Sequence, residues 1–233
     1  MLEEKLKIVQ ENILNSARKS NRDLSEIKLI AVSKTNPIRK ISECINVGII
    51  DFGENKALEF RDKSEIIKEN VVWHFIGHLQ RNKIKYVIKN ANYIHSVESF
   101  KLAEEINKRA KLIDKVQNIL FEVNTSKEDS KFGLKNYDEL YELVKMCEPL
   151  ENIKPVGLMT MASFIQDGTK LRESFKSLKL MRDKLNKKYS SIKELSMGMT
   201  NDYTIAIEEG ATMIRVGTAI FGARDVSLSW SEK

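Results

Sequence analysis

The sequence predicts an α/β fold, a single-domain (β/α)8 TIM-type barrel with an extra N-terminal helix. Eight short apolar runs alternate with segments of helical periodicity along the 233 residues. The runs are apolar on both faces, as in parallel strands covered by crossover helices. No linker rich in Pro, Gly or Ser divides the chain, so we expect residues 1–233 to form one domain.

The spacing of apolar residues predicts the elements in order. A first helix over residues 2–19 carries a stripe of apolar residues at helical spacing: Leu2, Leu6, Val9, Ile13 and Ala17. The predicted strands are residues 27–33, 47–53, 71–77, 91–97, 116–124, 153–161, 192–199 and 211–217. A doubly wound open sheet is the alternative, but its GxGxxG signature is absent after the first strand.

Helical patterns fill the segments between the strands. Residues 136–147 open with Asn136 and Glu139 in capping-box spacing. Residues 170–189 carry one apolar face, formed by Leu171, Phe175, Leu178, Met181, Leu185 and Tyr189. Eight strand–helix units in a chain of this length match a (β/α)8 barrel at the short end of its usual size.

Composition restricts the class of protein. The net charge is +6, but the lysines are interleaved with glutamates and no aromatic cluster accompanies them. We therefore expect no nucleic-acid partner, and a basic surface around an anion site instead. Cys44 and Cys147 fit no CxxC spacing, which indicates a reducing compartment. No apolar run approaches the ~20 residues of a membrane span, and the N-terminus is not a signal peptide, so we expect a cytoplasmic protein.

The carboxyl ends of the strands form the functional rim of such a barrel. The residues at these ends are Lys34; Gly53, Glu54 and Asn55; Gly77 and His78; Asn124; Thr160 and Met161; Gly198, Met199 and Thr200; and Arg215, Gly217 and Thr218. The loops after the last two strands, MGMTND and RVGTAIFG, each lead into a predicted short helix, near residue 201 and at Thr218. Such loops often cradle a phosphate, although glycines also occur in tight turns without a ligand.

Lys34 stands at the end of the buried strand IAVS, where a lysine has two functional uses. As a cation it can pair with an anionic ligand, and as a neutral amine it can form a Schiff base with a carbonyl. Desolvation and a nearby Arg215 would lower its pKa from ~10.4. The alternative is an exposed lysine that simply follows a strand.

Other chemistries have weaker support in the sequence. His74 and His78 have i, i+4 spacing on a strand and a turn, and no third ligand is evident, so we expect no metal site. We expect His95 to pack in or beside the fourth strand. GTAIFG lacks the Lys-Ser/Thr of a P-loop, and no GxSxG elbow occurs.

Six stretches of the chain resemble the pyridoxal-phosphate homeostasis protein family: LIAVSKTNP, DFGENKALEF, WHFIGHLQRNK, GLMTM, LSMGMTND and RVGTAIFGARD. The resemblance runs from about residue 28 to residue 225 in the family's order. It implies a barrel related to the N-terminal domain of alanine racemase. It also implies that Lys34 holds pyridoxal 5′-phosphate (PLP) as a Schiff base. Asn55 would be a neighbour of the cofactor, and Thr200, Gly217 and Thr218 would hold its phosphate.

The resemblance further implies that Arg215 faces the pyridine nitrogen. A permanent charge there disfavours protonation of the ring and makes it a poorer electron sink. The chain departs from the family at three places. Threonine replaces serine at Thr200 and keeps the hydroxyl that binds phosphate. Glu98 replaces an aspartate and Lys56-Ala57 replaces an aromatic–aliphatic pair, which leaves the roles of Glu98, Lys56 and Ala57 open.

Racemisation needs acid/base groups on both faces of the substrate carbon. The chain ends soon after the last strand, without the domain that supplies the opposing tyrosine and the dimer interface in alanine racemase, so we find no partner for Lys34. We therefore expect no catalytic residue. The expected function is a PLP carrier and buffer for vitamin B6 homeostasis, monomeric, with PLP-dependent apo-enzymes as recipients. The alternatives are a racemase-like PLP enzyme and, more distantly, a Schiff-base aldolase.

Overall fold

Eight parallel strands close into a barrel in the computed structural model, which describes residues 2–126, 128, 131–162 and 167–223. The strands are β1 (Lys28–Val32), β2 (Asp51–Glu54), β3 (Val72–Phe75), β4 (Tyr93–Val97), β5 (Gln117–Glu122), β6 (Ile153–Met159), β7 (Glu194–Met199) and β8 (Met213–Val216). Each strand pairs with the next, and β8 pairs with β1. The closed barrel confirms the predicted fold class and excludes the open doubly wound sheet.

Helices occupy the segments between the strands, as predicted. They are α1 (Leu2–Lys19), α2 (Ile38–Asn46), α3 (Ala57–Ile66), α4 (Ile84–Val87), α5 (Phe100–Lys111), α6 (Tyr137–Cys147), α7 (Gly168–Asn186), α8 (Tyr203–Glu208) and α9 (Thr218–Phe221). The predicted cap of α6 is present, because the Asn136 side chain accepts from the Glu139 N–H at 2.9 Å. The short helices predicted after the last two strands are also present, as α8 and α9.

The N-terminal helix has the predicted bounds. It buries Leu6, Val9 and Ile13 and packs against α8 and α9. Asn12 Nδ2 donates to the Tyr203 hydroxyl at 3.0 Å, which ties α1 to α8. The helix therefore covers the outside of the last two strand–helix units, whose loops lie on the rim.

The second strand begins four residues later than predicted, at Asp51 instead of residue 47. Residues 47–50 form a turn in which Gly48 has φ of 88° and its N–H donates to Ile45 O. Because Val47 and Ile50 are apolar yet exposed, the run resembled a strand in the sequence. Gly48 takes a left-handed conformation that ends α2.

Two apolar clusters lie on the two sides of the barrel wall. The outer cluster includes Phe52, Phe60, Trp73 and Phe75, whose ring centroids lie 5.8–5.9 Å apart in contacting pairs. The inner cluster consists of Ile30, Leu120, Val156, Met159 and Met213. Strand residues alternate between faces, so Glu122 and Arg215, two positions beyond Leu120 and Met213, also point into the barrel, toward its carboxyl rim.

Within the described residues, no helix is long and apolar enough to cross a membrane. Residues 224–233, including the end of the GARD stretch, lie outside the described part of the chain. The expectation of one domain over residues 1–233 therefore stays a prediction.

Candidate functional site

The residues predicted to form the site follow or belong to four strands that are neighbours in the barrel. Lys34 follows β1, Asn55 follows β2, Thr200 follows β7, Gly217 and Thr218 follow β8, and Arg215 lies within β8. Because the order around the barrel is β7, β8, β1, β2, the structure brings all six to one half of the carboxyl rim. Of the other rim candidates, those that follow β3, β5 and β6, including Asn124 and Thr160, lie on the opposite half, whereas those of β2 and β7 share this half.

Lys34 occupies a tight turn at the end of β1. The Asn36 N–H donates to Ser33 O at 3.0 Å, and Thr35, the third residue of the turn, has φ of 63°. This left-handed conformation is rare for a β-branched residue. The Lys34 side chain is half-buried, while Ser33 is fully buried behind it. The turn therefore ends the strand abruptly and leaves Lys34 at the mouth of the barrel.

Glu54 was a rim candidate in the sequence, and the structure places it elsewhere. Its carboxylate is fully buried in the outer layer, where Oε1 accepts from Ser33 Oγ at 2.6 Å and from Lys63 Nζ at 2.8 Å. Burial, with a smaller contribution from the nearby Glu59, raises the pKa of Glu54 to about 7. Glu54 therefore does not face a ligand on the rim.

Asn55 stands at the end of β2 with a polar atom available for a ligand. Its Oδ1 is buried and, among the described residues, has no hydrogen-bond partner. A Cβ on Gly77 would lie 2.2 Å from Asn55 O, so only glycine lets the loop after β3 pack this closely. A cavity of about 530 Å³ adjoins Asn55 and is lined also by Leu58, Arg61 and His78.

Arg215 is buried inside the barrel beneath the rim, at 4% exposure. Its Nη1 donates to Ser196 Oγ at 2.6 Å and to Ser196 O at 2.8 Å, and its Nη2 donates to Thr160 O at 2.8 Å. Burial lowers the pKa of Arg215 to about 10, while Asp202 and Glu122 act in the opposite direction. The guanidinium is thus charged at neutral pH and fixed by three hydrogen bonds.

A chain of buried side chains continues from Arg215 through the barrel. His95 Nδ1 lies 2.9 Å from Ser196 Oγ, His95 Nε2 lies 2.9 Å from His74 Nδ1, and His74 Nε2 lies 2.8 Å from Asp51 Oδ1. Arg215 can only donate and the Asp51 carboxylate accepts, so every hydrogen bond points from Arg215 toward Asp51. Burial lowers the pKa of both histidines, most for His95, which keeps them neutral.

The loop after β7 is closed by Asp202. Its carboxylate accepts from the Met199 N–H, and its own N–H donates to Met199 O at 3.0 Å. Gly198 has φ of 91°, and a Cβ there would lie 2.5 Å from Ala206 Cβ, so α8 packs directly on the strand end. The loop thereby fixes Thr200 on the rim beside β8.

Glu98 and Glu122 lie on the opposite half of the rim. Glu98 Oε2 accepts from the Gly133 N–H at 3.0 Å, and its Oε1 lies 3.5 Å from His78 Nδ1. Glu122 is 3% exposed, and burial together with Glu98 raises its pKa to about 7. Glu98, one of the departures from the family pattern, thus links the loops after β3 and β5.

His74 and His78, which have i, i+4 spacing in the sequence, do not share a face. His74 is buried inside the barrel, whereas His78 is exposed and its ring stacks on Phe132 with centroids 4.1 Å apart. Among the described residues, no three His, Cys, Asp or Glu side chains are grouped as metal ligands.

The rim has the functional groups that a phosphorylated pyridine aldehyde requires. Lys34 offers an amine, Arg215 a fixed positive charge, Asn55 an unsatisfied acceptor, and Thr200 and Thr218 hydroxyls. A Cβ on Gly217 would lie 3.3 Å from Val32 O, a tight contact. Glycine at this position therefore leaves the backbone N–H groups of the loop accessible to a ligand. The residues present therefore fit the cofactor that the resemblance implies.

Comparisons with known proteins give the chain's relatives. Residues 5–225 match the family described as the alanine racemase N-terminal domain. The pyridoxal phosphate homeostasis protein of Aquifex aeolicus is 40% identical over 223 residues, covering 95% of this chain and 97% of that protein. A protein of unknown function from Bifidobacterium adolescentis has a TM-score of 0.89 at 32% identity, covering 94% of both chains. PipY of Synechococcus elongatus, solved with PLP bound, has a TM-score of 0.83 at 29% identity, covering 95% of this chain and all of that one.

Proposed function

The chain belongs to the pyridoxal phosphate homeostasis protein family and matches the alanine racemase N-terminal domain, and on that premise we propose that it binds and carries pyridoxal 5′-phosphate. The observation that carries the proposal is the convergence of an amine, a buried guanidinium, two hydroxyls and an unsatisfied amide oxygen at four neighbouring strand ends. PipY, at 29% identity and with PLP bound, supports the choice of ligand.

Each rim residue has a role in this proposal. Lys34 Nζ holds the aldehyde of PLP as a Schiff base. Thr200, Gly217 and Thr218 bind the phosphate through hydroxyl and backbone N–H groups, and Asn55 Oδ1 accepts a hydrogen bond from the ligand. The close strand ends of β7, β8 and β1 support this grouping.

Arg215 favours storage of the cofactor over catalysis with it. Bound PLP supplies an electrophilic aldehyde and a pyridine ring that accepts electrons when its nitrogen is protonated. Arg215 is charged at neutral pH and, in the orientation expected from the resemblance, faces that nitrogen. Its charge opposes protonation of the ring and so weakens carbanion chemistry. A carrier that buffers PLP and delivers it to apo-enzymes follows from this chemistry.

A spectrum of the purified protein tests the carrier proposal. The wild type should show a visible absorbance band that disappears on borohydride reduction, with the modification on Lys34 in peptide maps. Lys34→Ala should lack the band. Lys56→Ala, on the exposed loop beside the site, is the matched control and should keep it. A wild-type protein without the band, or a Lys34→Ala variant with it, contradicts the proposal.

One observation favours the alternative of a racemase-like enzyme. Glu122 is a buried carboxyl near Arg215 with a pKa of about 7, a value suited to general acid–base catalysis. Incubating D- and L-alanine with the loaded protein in heavy water distinguishes the two functions. Deuterium exchange at Cα that is lost in Glu122→Gln would support the enzyme, whereas a carrier exchanges no faster than free PLP.

Delivery and assembly complete the proposal. The loaded protein acts as a cytoplasmic monomer and restores activity to PLP-dependent apo-enzymes. Mixing it with an apo-transaminase, with and without a trap for free PLP, separates direct transfer from release. Sedimentation measures the oligomeric state.

A further inference from the structure

The backbone on both sides of Lys34 is attached to a buried ion cluster in the outer layer of the barrel. The cluster consists of Glu54 at the end of β2 and of Glu59 and Lys63 on α3, each side chain at most 1% exposed. Lys63 Nζ donates to Glu54 Oε1 at 2.8 Å and to Glu59 Oε1 at 2.7 Å. Lys63 therefore joins the two carboxylates directly behind the turn that carries Lys34.

Each neighbour of Lys34 is bonded to a member of this cluster. On the amino-terminal side, Ser33 O accepts from Lys63 Nζ at 2.8 Å, and Ser33 Oγ donates to Glu54 Oε1 at 2.6 Å. On the carboxyl side, the Thr35 N–H donates to Glu59 Oε1 at 2.6 Å. Lys34 thus sits between two peptide units that charged groups hold in place.

The conformation of Thr35 indicates that this attachment constrains the backbone. A β-branched residue at φ of 63° is strained, and such strain persists only where the surroundings impose it. The bond from Thr35 N–H to a charged acceptor supplies that constraint, since charge-assisted hydrogen bonds are short and strong.

Stability alone does not account for three buried ionisable groups. Burying charges is costly, and apolar residues of similar volume commonly give equal or greater stability. Glu54 Oε2 and Glu59 Oε2 are moreover buried without hydrogen-bond partners among the described residues. What the cluster provides that an apolar core does not is directional attachment of Ser33 and Thr35.

We propose that Glu54, Glu59 and Lys63 are positioning residues for Lys34, which hold its turn so that Nζ meets the aldehyde of pyridoxal phosphate in one orientation. This inference rests on the proposed role of Lys34 as the cofactor's point of attachment. In that linkage the neutral amine nitrogen forms a C=N bond to the aldehyde carbon, and its two protons leave with the aldehyde oxygen as water. A displaced Nζ slows and weakens this condensation but leaves phosphate binding untouched.

Two ligands separate positioning from general structural support. PLP can form the Schiff base, whereas pyridoxine 5′-phosphate has an alcohol in place of the aldehyde and binds only non-covalently. Glu59→Ala should weaken PLP binding by about tenfold or more, because small misplacements of a reacting group have large effects. Its affinity for pyridoxine 5′-phosphate should stay close to that of the wild type.

Conservative and control variants complete the test. Glu59→Gln keeps an oxygen acceptor for the Thr35 N–H and should recover most of the preference for PLP. Glu65→Ala, on the exposed face of the same helix, should leave both affinities unchanged. If Glu59→Ala does not fold, Lys63→Met combined with Glu54→Gln and Glu59→Gln removes the bond from Lys63 Nζ to Ser33 O and leaves no unbalanced charge in the cluster, and the same loss of preference is expected.

The outcomes distinguish this inference from the proposed function. Equal losses for both ligands, or no loss for either, overturn the positioning role. Lys34→Ala should abolish the preference for PLP altogether. If it does not, or if the wild type has no preference, the proposed function itself fails. If Lys34→Ala loses the preference and folded Glu59→Ala keeps it, only the positioning role is wrong.

Discussion

Two buried polar networks flank the rim, one on each side of the barrel wall. The outer network places the charges of Glu54, Glu59 and Lys63 within hydrogen-bonding distance of one another. The inner network separates the charges of Arg215 and Asp51 by a serine and two neutral histidines. The first holds the backbone of Lys34, and the second holds the side chain of Arg215. Each network therefore fixes one residue that is predicted to bind the cofactor. The two networks should differ in how much stability is lost when one of their side chains is removed.

The difference lies in what remains when one member is removed. In the outer network, loss of Lys63 leaves two carboxylates facing each other in a dry environment. In the inner network, loss of a histidine leaves neutral donors and acceptors unpaired. An uncompensated buried charge costs more than an unpaired neutral group.

The two networks also respond to pH in opposite directions. Glu54 has a raised pKa, so its contribution to stability is full below 4.5 and is lost as the pH rises through about 7. His74 and His95 have lowered pKa values, so their contribution is full above 6.5 and is lost as the pH falls below that value. The outer network is thus weakened as the pH rises from 4.5 to about 7, and the inner one as the pH falls below 6.5.

Removing the central cation of the outer network should have the largest effect. Lys63→Met leaves Glu54 and Glu59 unbalanced and should lower the free energy of unfolding by about 3–5 kcal/mol. Urea denaturation at neutral pH measures this. Lys68→Met, an exposed lysine just beyond the same helix, should change it by less than about 0.5 kcal/mol. If Lys63→Met has only a small effect, the variant does not hold an uncompensated buried charge. Removing one member would then cost the two networks about the same free energy of unfolding.

Glu122 belongs to neither network, but its pKa is raised by burial as that of Glu54 is, so it tests this direction of pH dependence by itself. Because its pKa rises from 4.5 to about 7 on folding, the wild type should lose up to about 3 kcal/mol through this group as the pH rises through 7. Glu122→Gln should lack that loss, so its stability relative to the wild type should increase between pH 5 and pH 8. Denaturation curves at the two pH values measure the difference, and Glu65→Gln serves as the exposed control. Parallel pH profiles for Glu122→Gln and wild type would contradict the raised pKa.

Breaking the inner network should have an intermediate effect. His95→Leu leaves His74 Nδ1 without a donor and the Ser196 hydroxyl without its acceptor, and should cost about 1–3 kcal/mol at neutral pH. The variant should also lose less stability than the wild type below pH 6.5. His78→Leu, at the exposed histidine outside this network, should cost less than His95→Leu, because only its stacking on Phe132 and its contact with Glu98 are lost. If His95→Leu lowers the free energy of unfolding as much as Lys63→Met does, the charged and the neutral network do not differ in their tolerance to the loss of one side chain.

The smallest effect should come from the strained residue itself. Thr35→Gly relieves the conformation at φ of 63° but gives up the bond from Thr35 Oγ1 to Lys34 O and increases the freedom of the unfolded chain. These effects oppose each other, so stability should change by less than about 1 kcal/mol. Asn21→Gly, at another positive φ, is the control for the backbone effect. A large stabilisation by Thr35→Gly alone would show that the Glu59 bond adds strain to the turn.

The sequence by itself determined the barrel, the bounds of α1 and the strand ends at which Lys34, Asn55, Thr200 and the β8 residues stand. Apolar periodicity encodes these features locally, and the closure of parallel strands then fixes which ends are neighbours. The second strand was misplaced because a short apolar turn has the same composition as a buried strand.

Only the tertiary structure decided the two networks. Glu59 and Lys63 have the i, i+4 spacing of an ordinary exposed ion pair, and nothing in the sequence marks that face of α3 as buried. Glu54 alternates to the outer face, while His74 and His95 meet inside the barrel although they are 21 residues apart. Runs that are apolar on both faces do not reveal which face is inner, so contacts between distant polar residues follow only from the closed sheet.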